Sequence, residues 1–440
     1  MIWLYIVTNL LALLAAFKIT RRNYNSHMIP FALCIILLII YCIFTPTYFY
    51  LTGRKTIIGD QGLFMFTGKD ITKYYEKGML FHLIANVCFI SGFMWKRYLN
   101  SEGNHKINPA DLFNLRRKTL VLYILFLTIV LTDLIISGVN PLALLMGTSE
   151  EELFGSESIT KSFYFRNCAD CLVTTIILYA YLKGKPWKLA LLIVPAFILF
   201  AIMGFRYRMI ITIMGLIIVY ITDSSTNFKI KKWSIISISI FYFIFFITYN
   251  RWSFISGQFG DLSYNPASFD YEMFFEQTHQ SLNDYNLIRY YEENSELKHD
   301  LGLTMFGYIF IKALPRAFFK NGEKPYPPPA LVIVNDSLEF PPKWPKTGET
   351  TMHYGGFYGA FGWFGAIIMP FLMGFLIHYF SSKNPSTTPT GFLKQIVLSL
   401  ALFMLISRGY LPQFIDNFVY LSIPIWLLGK SLKKASIKYE

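Results

Sequence analysis

The feature that most constrains this chain is a series of long apolar blocks separated by short charged loops. The segments 1–17 and 29–49 contain no charged residue at all. A helix of about 20 apolar residues is long enough to span the hydrocarbon core of a bilayer. Only 15% of all residues are charged, whereas a soluble domain carries about 25%. The sequence therefore predicts an all-α polytopic membrane protein.

The apolar blocks predict about eleven transmembrane helices and one large extracytoplasmic loop domain. The N-terminal transmembrane bundle (1–249) holds the first eight, and the C-terminal bundle (353–440) holds the last three and a cytoplasmic tail. Between them lies the loop domain (250–352), for which we expect amphipathic or interfacial helices. The predicted spans are 1–17, 29–49, 78–95, 119–137, 164–182, 187–204, 209–222, 234–249, 355–380, 394–411 and 413–429.

One further apolar segment, 301–319, is a possible twelfth span. It contains Lys312, Pro315 and Arg316, and an extra span there would invert the orientation of everything after it. We therefore expect an interfacial or re-entrant helix.

The distribution of lysine and arginine predicts the orientation of the spans. Basic residues cluster in loops such as 116–118 and 229–232 and in the tail 430–438, whereas 150–157 and 250–352 are rich in acids. Cytoplasmic loops carry the excess of basic residues. We therefore expect the N-terminus outside and the C-terminus in the cytoplasm. The same rule accounts for the net charge of +13, so no nucleic-acid partner is predicted.

Arginines stand out near span ends on the predicted outer side. The guanidinium group is always charged and its donors match phosphate oxygens, so convergent arginines indicate a phosphate or pyrophosphate ligand. Each arginine also has an alternative as a membrane anchor or an ion pair. The candidates for pyrophosphate binding are Arg206, Arg208, Arg316 and Arg408, with Lys324 as a helper.

Arg206 and Arg208 lie in the short gap MGFRYRM between two apolar blocks. In an extended tip, residues two apart point the same way, so both would face one ligand. In a helix they diverge by about 200°, and only one would. Arg208 has the alternative of pairing with Asp133 or Asp170, while Arg166 and Asp170 have the i, i+4 spacing of an ion pair.

The predicted outer side also offers candidates for a general base and for a surface that binds sugars. His353 is the first candidate for the base, since a histidine near its ordinary pKa suits that role; Glu349 is the second and Asp416 the third. Trp344 and Tyr354 are candidates to stack on sugar rings, with an interfacial aromatic belt as the alternative. The acids are scattered and form no metal-binding motif, so neither a metal nor a cofactor is predicted.

Four short motifs, taken in order, resemble those of the Wzy-type O-antigen polymerases, which polymerise oligosaccharide repeat units. They are Gly204-Phe205-Arg206, LPRAFFKNGEKP (314–325), HYGGFYGAFGWFGAI (353–367) and SRG (407–409). The resemblance covers roughly residues 195–430. His353, followed by Gly362 and Gly365, is also similar to a motif of the related O-antigen ligases, although its spacing differs.

The resemblance implies an enzyme of the bacterial inner membrane that acts on the outer face of that membrane. It implies a substrate of undecaprenyl-pyrophosphate-linked oligosaccharide, surrounding membrane lipid, and a flippase and a chain-length regulator as partners. The growing chain would move from its lipid pyrophosphate onto a hydroxyl of the next lipid-linked repeat. Two alternatives stay open: an O-antigen ligase-like glycan transferase, and a glycolipid flippase or transporter.

Overall fold

Helix is the dominant structure of this chain. The computed structural model describes residues 1–23, 28–53, 70–95, 104–136, 163–203, 206–222, 278–314, 318–319, 329–338 and 349–439, with the single residues 242, 246 and 275. The helices are α1 (Ile2–Asn23), α2 (Ile29–Leu51, with a π-helical turn at Ile40–Phe44), α3 (Tyr75–Phe93), α4 (Pro109–Ile136), α5 (Phe163–Arg166), α6 (Ala169–Tyr181), α7 (Pro186–Ile202), α8 (Arg206–Thr222), α9 (Gln280–Glu293), α10 (Tyr308–Ala313), α11 (Pro329–Ser337), α12 (His353–Lys383), α13 (Pro389–Arg408) and α14 (Leu411–Lys434).

Six of these helices, α1, α2, α4, α12, α13 and α14, are long and apolar enough to cross a membrane. The predicted class of a helical membrane-spanning protein is therefore confirmed. Three shorter apolar helices, α6, α7 and α8, coincide with predicted spans, and α3 covers the predicted span 78–95. The predicted span 234–249 lies outside the described residues apart from positions 242 and 246. The count of eleven spans stays a prediction.

The contacts divide the chain into two compact units. Unit 1 comprises 1–102, 274–386 and 401–416; unit 2 comprises 103–273, 387–400 and 417–440. These units are defined by contacts within the fold, whereas the predicted domains are successive stretches of the chain that lie inside or outside the membrane. The two divisions do not test each other, so the predicted domain boundaries stay predictions.

The core of unit 1 is built on close contact between α3 and α12. At Gly92 an added Cβ atom would collide with the carbonyl group of Phe371, and at Gly374 it would collide with that of Phe89. Small residues at such positions allow two helix backbones to approach closely, as is typical of helix packing in membranes. Helix α12 is interrupted at Gly362, whose φ of 62° and ψ of −148° are not helical. The glycine-rich start of α12 is thus set apart from its apolar remainder.

The segment predicted to be interfacial contains only a short helix among its described residues. A π-helical turn, Leu303–Gly307, runs into α10. The two together rise roughly 16 Å, whereas the hydrocarbon core of a bilayer is about 30 Å thick. The described helix is therefore too short to span. The side chains of Leu303 and Phe310 are largely exposed.

Unit 2 contains α4 to α8 and a small sheet that the apolar pattern did not predict. Two strands, β1 (Asn104–Ile107) and β2 (Ser436–Tyr439), pair in antiparallel register with Asn104 opposite Tyr439. The Tyr123 hydroxyl donates to the Leu192 carbonyl at 2.7 Å and thereby joins α4 to α7.

Candidate functional site

The part of unit 1 that stands out is α9, a polar helix buried on almost every side. Its residues 281–289 are all buried, and these include Asn283, Asp284, Asn286 and Arg289. Buried polar groups are nearly always hydrogen-bonded. The partners of these side chains therefore show what α9 holds in place.

The first set of partners joins α9 to the segment that leads into α12. The Asn283 side-chain amide donates to the Thr350 carbonyl at 2.8 Å and to Glu349 Oε2 at 3.2 Å. His279 Nε2, placed to donate, lies 2.8 Å from the same Glu349 oxygen. Burial raises the pKa of Glu349, but His279, Asn283 and the charge of Arg408 together hold it below the ordinary value of 4.5. Glu349 is thus a carboxylate at neutral pH, already held by an imidazole.

A second and more deeply buried set surrounds Asp284. With Nε2 protonated, His82 donates to Asp284 Oδ2 at 3.0 Å, and its Nδ1 can then accept from the Tyr285 hydroxyl at 3.3 Å. Asp284 Oδ1 accepts from the Met352 N–H at 2.9 Å. The carboxylate also interacts with the Gly355 N–H in the first turn of α12. Burial raises the pKa of Asp284, while His82 and the two N–H groups favour its charged form.

Thr350, Thr351, Gly355 and Gly356 line a cleft, and the segment 349–356 that contains them is called here the 349–356 wall. The cleft encloses about 610 Å³ of unfilled space, part of it open to the surroundings. The segment 408–412, where α13 ends and α14 begins, also lines the cleft. Its polar lining residues are Asp300, Thr304, Thr350, Thr351, Arg408 and Tyr410, and its apolar lining residues include Leu287, Met305, Ile333, Val334, Leu411 and Pro412.

Arg408 is the cation of this cleft. Its side chain is exposed and makes no ion pair with any residue in the described part of the chain. Gly409 follows with a φ of +58°, and a Cβ atom there would lie 2.5 Å from the Met352 carbonyl oxygen. The turn at Gly409 is therefore packed directly against the 349–356 wall, and only glycine fits there without strain.

Arg289 holds a further side of the cleft. It donates from Nη1 to Glu293 at 2.6 Å and from Nη2 to the Ser337 carbonyl at 2.9 Å. Ser337 ends α11, which contributes Ile333 and Val334 to the lining. This buried arginine therefore has a structural role in tying α11 to α9.

Two predicted site residues at the start of α12 are buried and do not line the cleft. The His353 side chain is 1% exposed and does not line the cleft; its ring interacts with the Ile406 backbone. Tyr354 is 0% exposed, and its hydroxyl donates to Asn86 at 2.8 Å. Tyr354 therefore presents no surface on which a sugar ring could stack, and His353 has no direct access to a ligand in the cleft.

The predicted arginine pair of MGFRYRM lies in unit 2, at the start of α8. Helix α8 begins at Arg206, so Arg206 and Arg208 are both helical. In a helix these two residues diverge by about 200°, and only one of them would face a given ligand. Arg208 is 0% exposed and donates from Nε to Asp170 at 2.6 Å. Arg166 lies 3.5 Å from Asp133. Arg208 therefore forms an ion pair with Asp170, one of the two partners that the sequence left open.

The other predicted residues are not brought to the cleft. Arg316, Lys324 and Trp344 lie outside the described residues, as does the side chain of Arg206. Asp416 lies in the second turn of α14 and is partly exposed. Of the predicted residues, the structure brings together Glu349 and Arg408.

Sequence reasoning missed His82, His279 and Asp284. One signal was available: His82 is the lone residue among His, Asp, Glu, Lys and Arg in the apolar stretch MLFHLIANVCFI (79–90), and such residues in apolar stretches usually have a function. The sequence predicts amphipathic or interfacial helices in 250–352, and the polar residues of such helices are normally exposed. The burial of the polar residues of α9 was therefore not predicted.

The cleft therefore combines an exposed guanidinium, two threonines and an apolar side, and Glu349, a carboxylate held by an imidazole, directly precedes its lining residue Thr350. Such an arrangement can bind an anionic group and accept a proton from a nearby hydroxyl. Comparison with models of protein families, with curated proteins and with solved structures found no match.

Proposed function

We propose that this protein is a membrane glycosyltransferase that polymerises undecaprenyl-pyrophosphate-linked oligosaccharide repeat units into a surface polysaccharide on the outer face of the bacterial inner membrane. The observation that carries the proposal is that Arg408, the exposed cation of the cleft, lies close enough to Glu349 for its charge to act on that carboxylate, which directly precedes the lining residues Thr350 and Thr351. The orientation inferred from the charged loops supports it, and so does the order of the four motifs.

The leaving group of this reaction is a pyrophosphate, which needs positive charge. Arg408 supplies a fork of charged donors. It lies three residues before the N-terminus of α14, where the helix dipole also favours an anion. Stabilisation of the charge that develops in the transition state is usually the largest catalytic contribution. Arg408 is therefore the proposed pyrophosphate-binding residue.

The acceptor hydroxyl needs a base. Glu349 has an ordered partner in His279 and a pKa below its ordinary value, so it is ready to accept a proton at neutral pH. The bond between C1 of the growing chain and its pyrophosphate breaks, the acceptor oxygen bonds to C1, and its proton passes to Glu349. We prefer Glu349 to His353 as the base because the side chain of Glu349 is 22% exposed, whereas His353 is 1% exposed.

The polymerase assay uses the purified full-length protein, a synthetic polyprenyl-pyrophosphate-linked repeat unit and detergent or liposomes. Chains of several repeats and free polyprenyl pyrophosphate should both appear. Arg408→Ala and Glu349→Gln should each lower the rate by about 10²–10³. Arg117→Ala is the matched control, since Arg117 is an exposed arginine of α4 in unit 2. If Arg408→Ala and Glu349→Gln both retain the normal rate, the proposal is wrong.

The same assay separates the alternatives. A ligase would release polyprenyl pyrophosphate only when a lipid A core acceptor is added, and it would form no chains of repeats. A flippase or transporter would move the lipid-linked repeat across liposomes without releasing polyprenyl pyrophosphate. Either result would replace the polymerase with that alternative.

A further inference from the structure

The 349–356 wall carries Glu349 at one end and the first turn of α12 at the other. Asn283 binds the Thr350 carbonyl, and Asp284 binds the Met352 N–H. Two consecutive residues of α9 thus hold the extended part of the wall through its backbone, so the position of Glu349 depends on α9.

The Asp284 carboxylate is fully buried, together with the imidazole that binds it. The side chains of Asp284 and His82 are each 0% exposed. Taking the Asp284 carboxylate out of water usually offsets what its contact with His82 gains, so this buried pair is weak evidence for a role in stability. The backbone N–H groups that Asp284 accepts from belong to the cleft wall. The contacts of this pair therefore indicate a role in positioning.

Gly355 shows how tightly Asp284 fits behind the wall. Gly355 lines the cleft, and a Cβ atom on it would collide with Asp284 Oδ1. Gly359 lies one helical turn further along and also lines the cleft, but a Cβ atom there would make an ordinary contact of 3.5 Å with Leu287. Only the first of these two glycines is required by the carboxylate.

We propose that Asp284, held by His82, is a positioning residue that fixes the 349–356 wall through the Met352 and Gly355 N–H groups and thereby places Glu349 at the cleft. The effect on turnover rests on the proposed function. The effect on the wall does not, because it concerns the contacts of the protein itself.

The test of the wall is hydrogen–deuterium exchange of the full-length protein in detergent. In the unaltered protein, the Met352 and Gly355 amides should exchange slowly; fast exchange of both would overturn the proposal. Asp284→Asn and Gly355→Ala should each speed exchange in the peptide covering 349–356 by about tenfold. Gly359→Ala is the control and should leave that exchange unchanged. If Asp284→Asn and Gly355→Ala fold and exchange as the unaltered protein does, Asp284 does not position the wall.

Turnover distinguishes positioning from a general structural role. Asp284→Asn should lower kcat while binding of inorganic pyrophosphate, followed by calorimetry, stays within about twofold, since Arg408 is unchanged. An equal loss of both would overturn the positioning role. If the unaltered protein neither polymerises repeats nor binds pyrophosphate, the proposed function fails, and the exchange data still decide the role of Asp284.

Discussion

Arg208 and Arg408 each lie at an end of an apolar helix, yet their surroundings differ. Arg208, in the first turn of α8, is fully buried and donates to Asp170. Arg408, the last residue of α13, is exposed on a cleft and forms no ion pair within 4.0 Å among the described residues, although its charge acts on the nearby Glu349. A helix-end arginine in a membrane protein therefore indicates that a negative charge is needed nearby. Whether the protein or a ligand supplies that charge depends on which carboxylates the fold brings within reach.

The largest expected effect in this comparison is on stability in unit 2. Asp170→Ala leaves the buried Arg208 guanidinium without its carboxylate partner, and removing one member of a buried ion pair destabilises by about 3–5 kcal/mol. We expect a large loss of thermal stability in detergent and of protein in the membrane. An unchanged unfolding temperature would mean that the Arg208–Asp170 pair is not the internal ion pair described here.

The double substitution Asp170→Leu with Arg208→Leu sharpens the comparison. Replacing both members of a buried pair by apolar residues is often neutral or stabilising, so the double variant should recover most of the stability that Asp170→Ala loses. It should also polymerise repeats at nearly the normal rate. A stable double variant that makes no polymer would show that Arg208 acts on a ligand, and the contrast with Arg408 would no longer hold.

The cleft and the ion pair were predictable to different degrees. The apolar blocks predicted the helices because a membrane span is encoded locally, in about 20 successive residues. Arg408 and Glu349 were predicted from residue type and orientation. The partner of Arg208 was open between Asp133 and Asp170, because the choice depends on how α4, α6 and α8 pack. The contact of His82 with Asp284 joins residues about 200 positions apart, and no local pattern encodes it.

A smaller effect is expected from a conservative change in the cleft. Arg408→Lys keeps the charge but loses the fork of donors, so turnover should fall by roughly tenfold, the loss expected for one charge-assisted hydrogen bond. Stability should change by less than about 0.5 kcal/mol, because the side chain is exposed. The rate of polymerisation and the unfolding temperature of the same preparation provide both measurements.

If Arg408→Lys loses as much turnover as Arg408→Ala, both donors of the fork are needed at once. If Arg408→Lys destabilises the protein, Arg408 has a structural partner and resembles Arg208.

The smallest expected effect is that of mild acid on the rate, and it decides which residue is the base. The pKa of Glu349 lies below its ordinary value of 4.5, and a carboxylate base works in its deprotonated form. Its activity is therefore fully present above pH 4.5 and is lost as the pH falls through its pKa. Lowering the pH from about 7.5 to about 5.5 should leave turnover nearly unchanged. A histidine base with an ordinary pKa of about 6.5 would instead lose about tenfold by pH 5.5.

A fall of about tenfold between pH 7.5 and pH 5.5 would therefore favour a histidine base with an ordinary pKa over Glu349, provided that Arg117→Ala, the matched control, shows the same profile. His353 would then have to reach the cleft, which requires the wall to move, since its side chain is 1% exposed in the present structure. Faster hydrogen exchange of residues 349–356 when substrate is bound would accompany that movement. A flat profile with unchanged exchange would instead leave Glu349 as the base in a fixed wall, because a carboxylate already held by His279 needs no rearrangement to accept a proton.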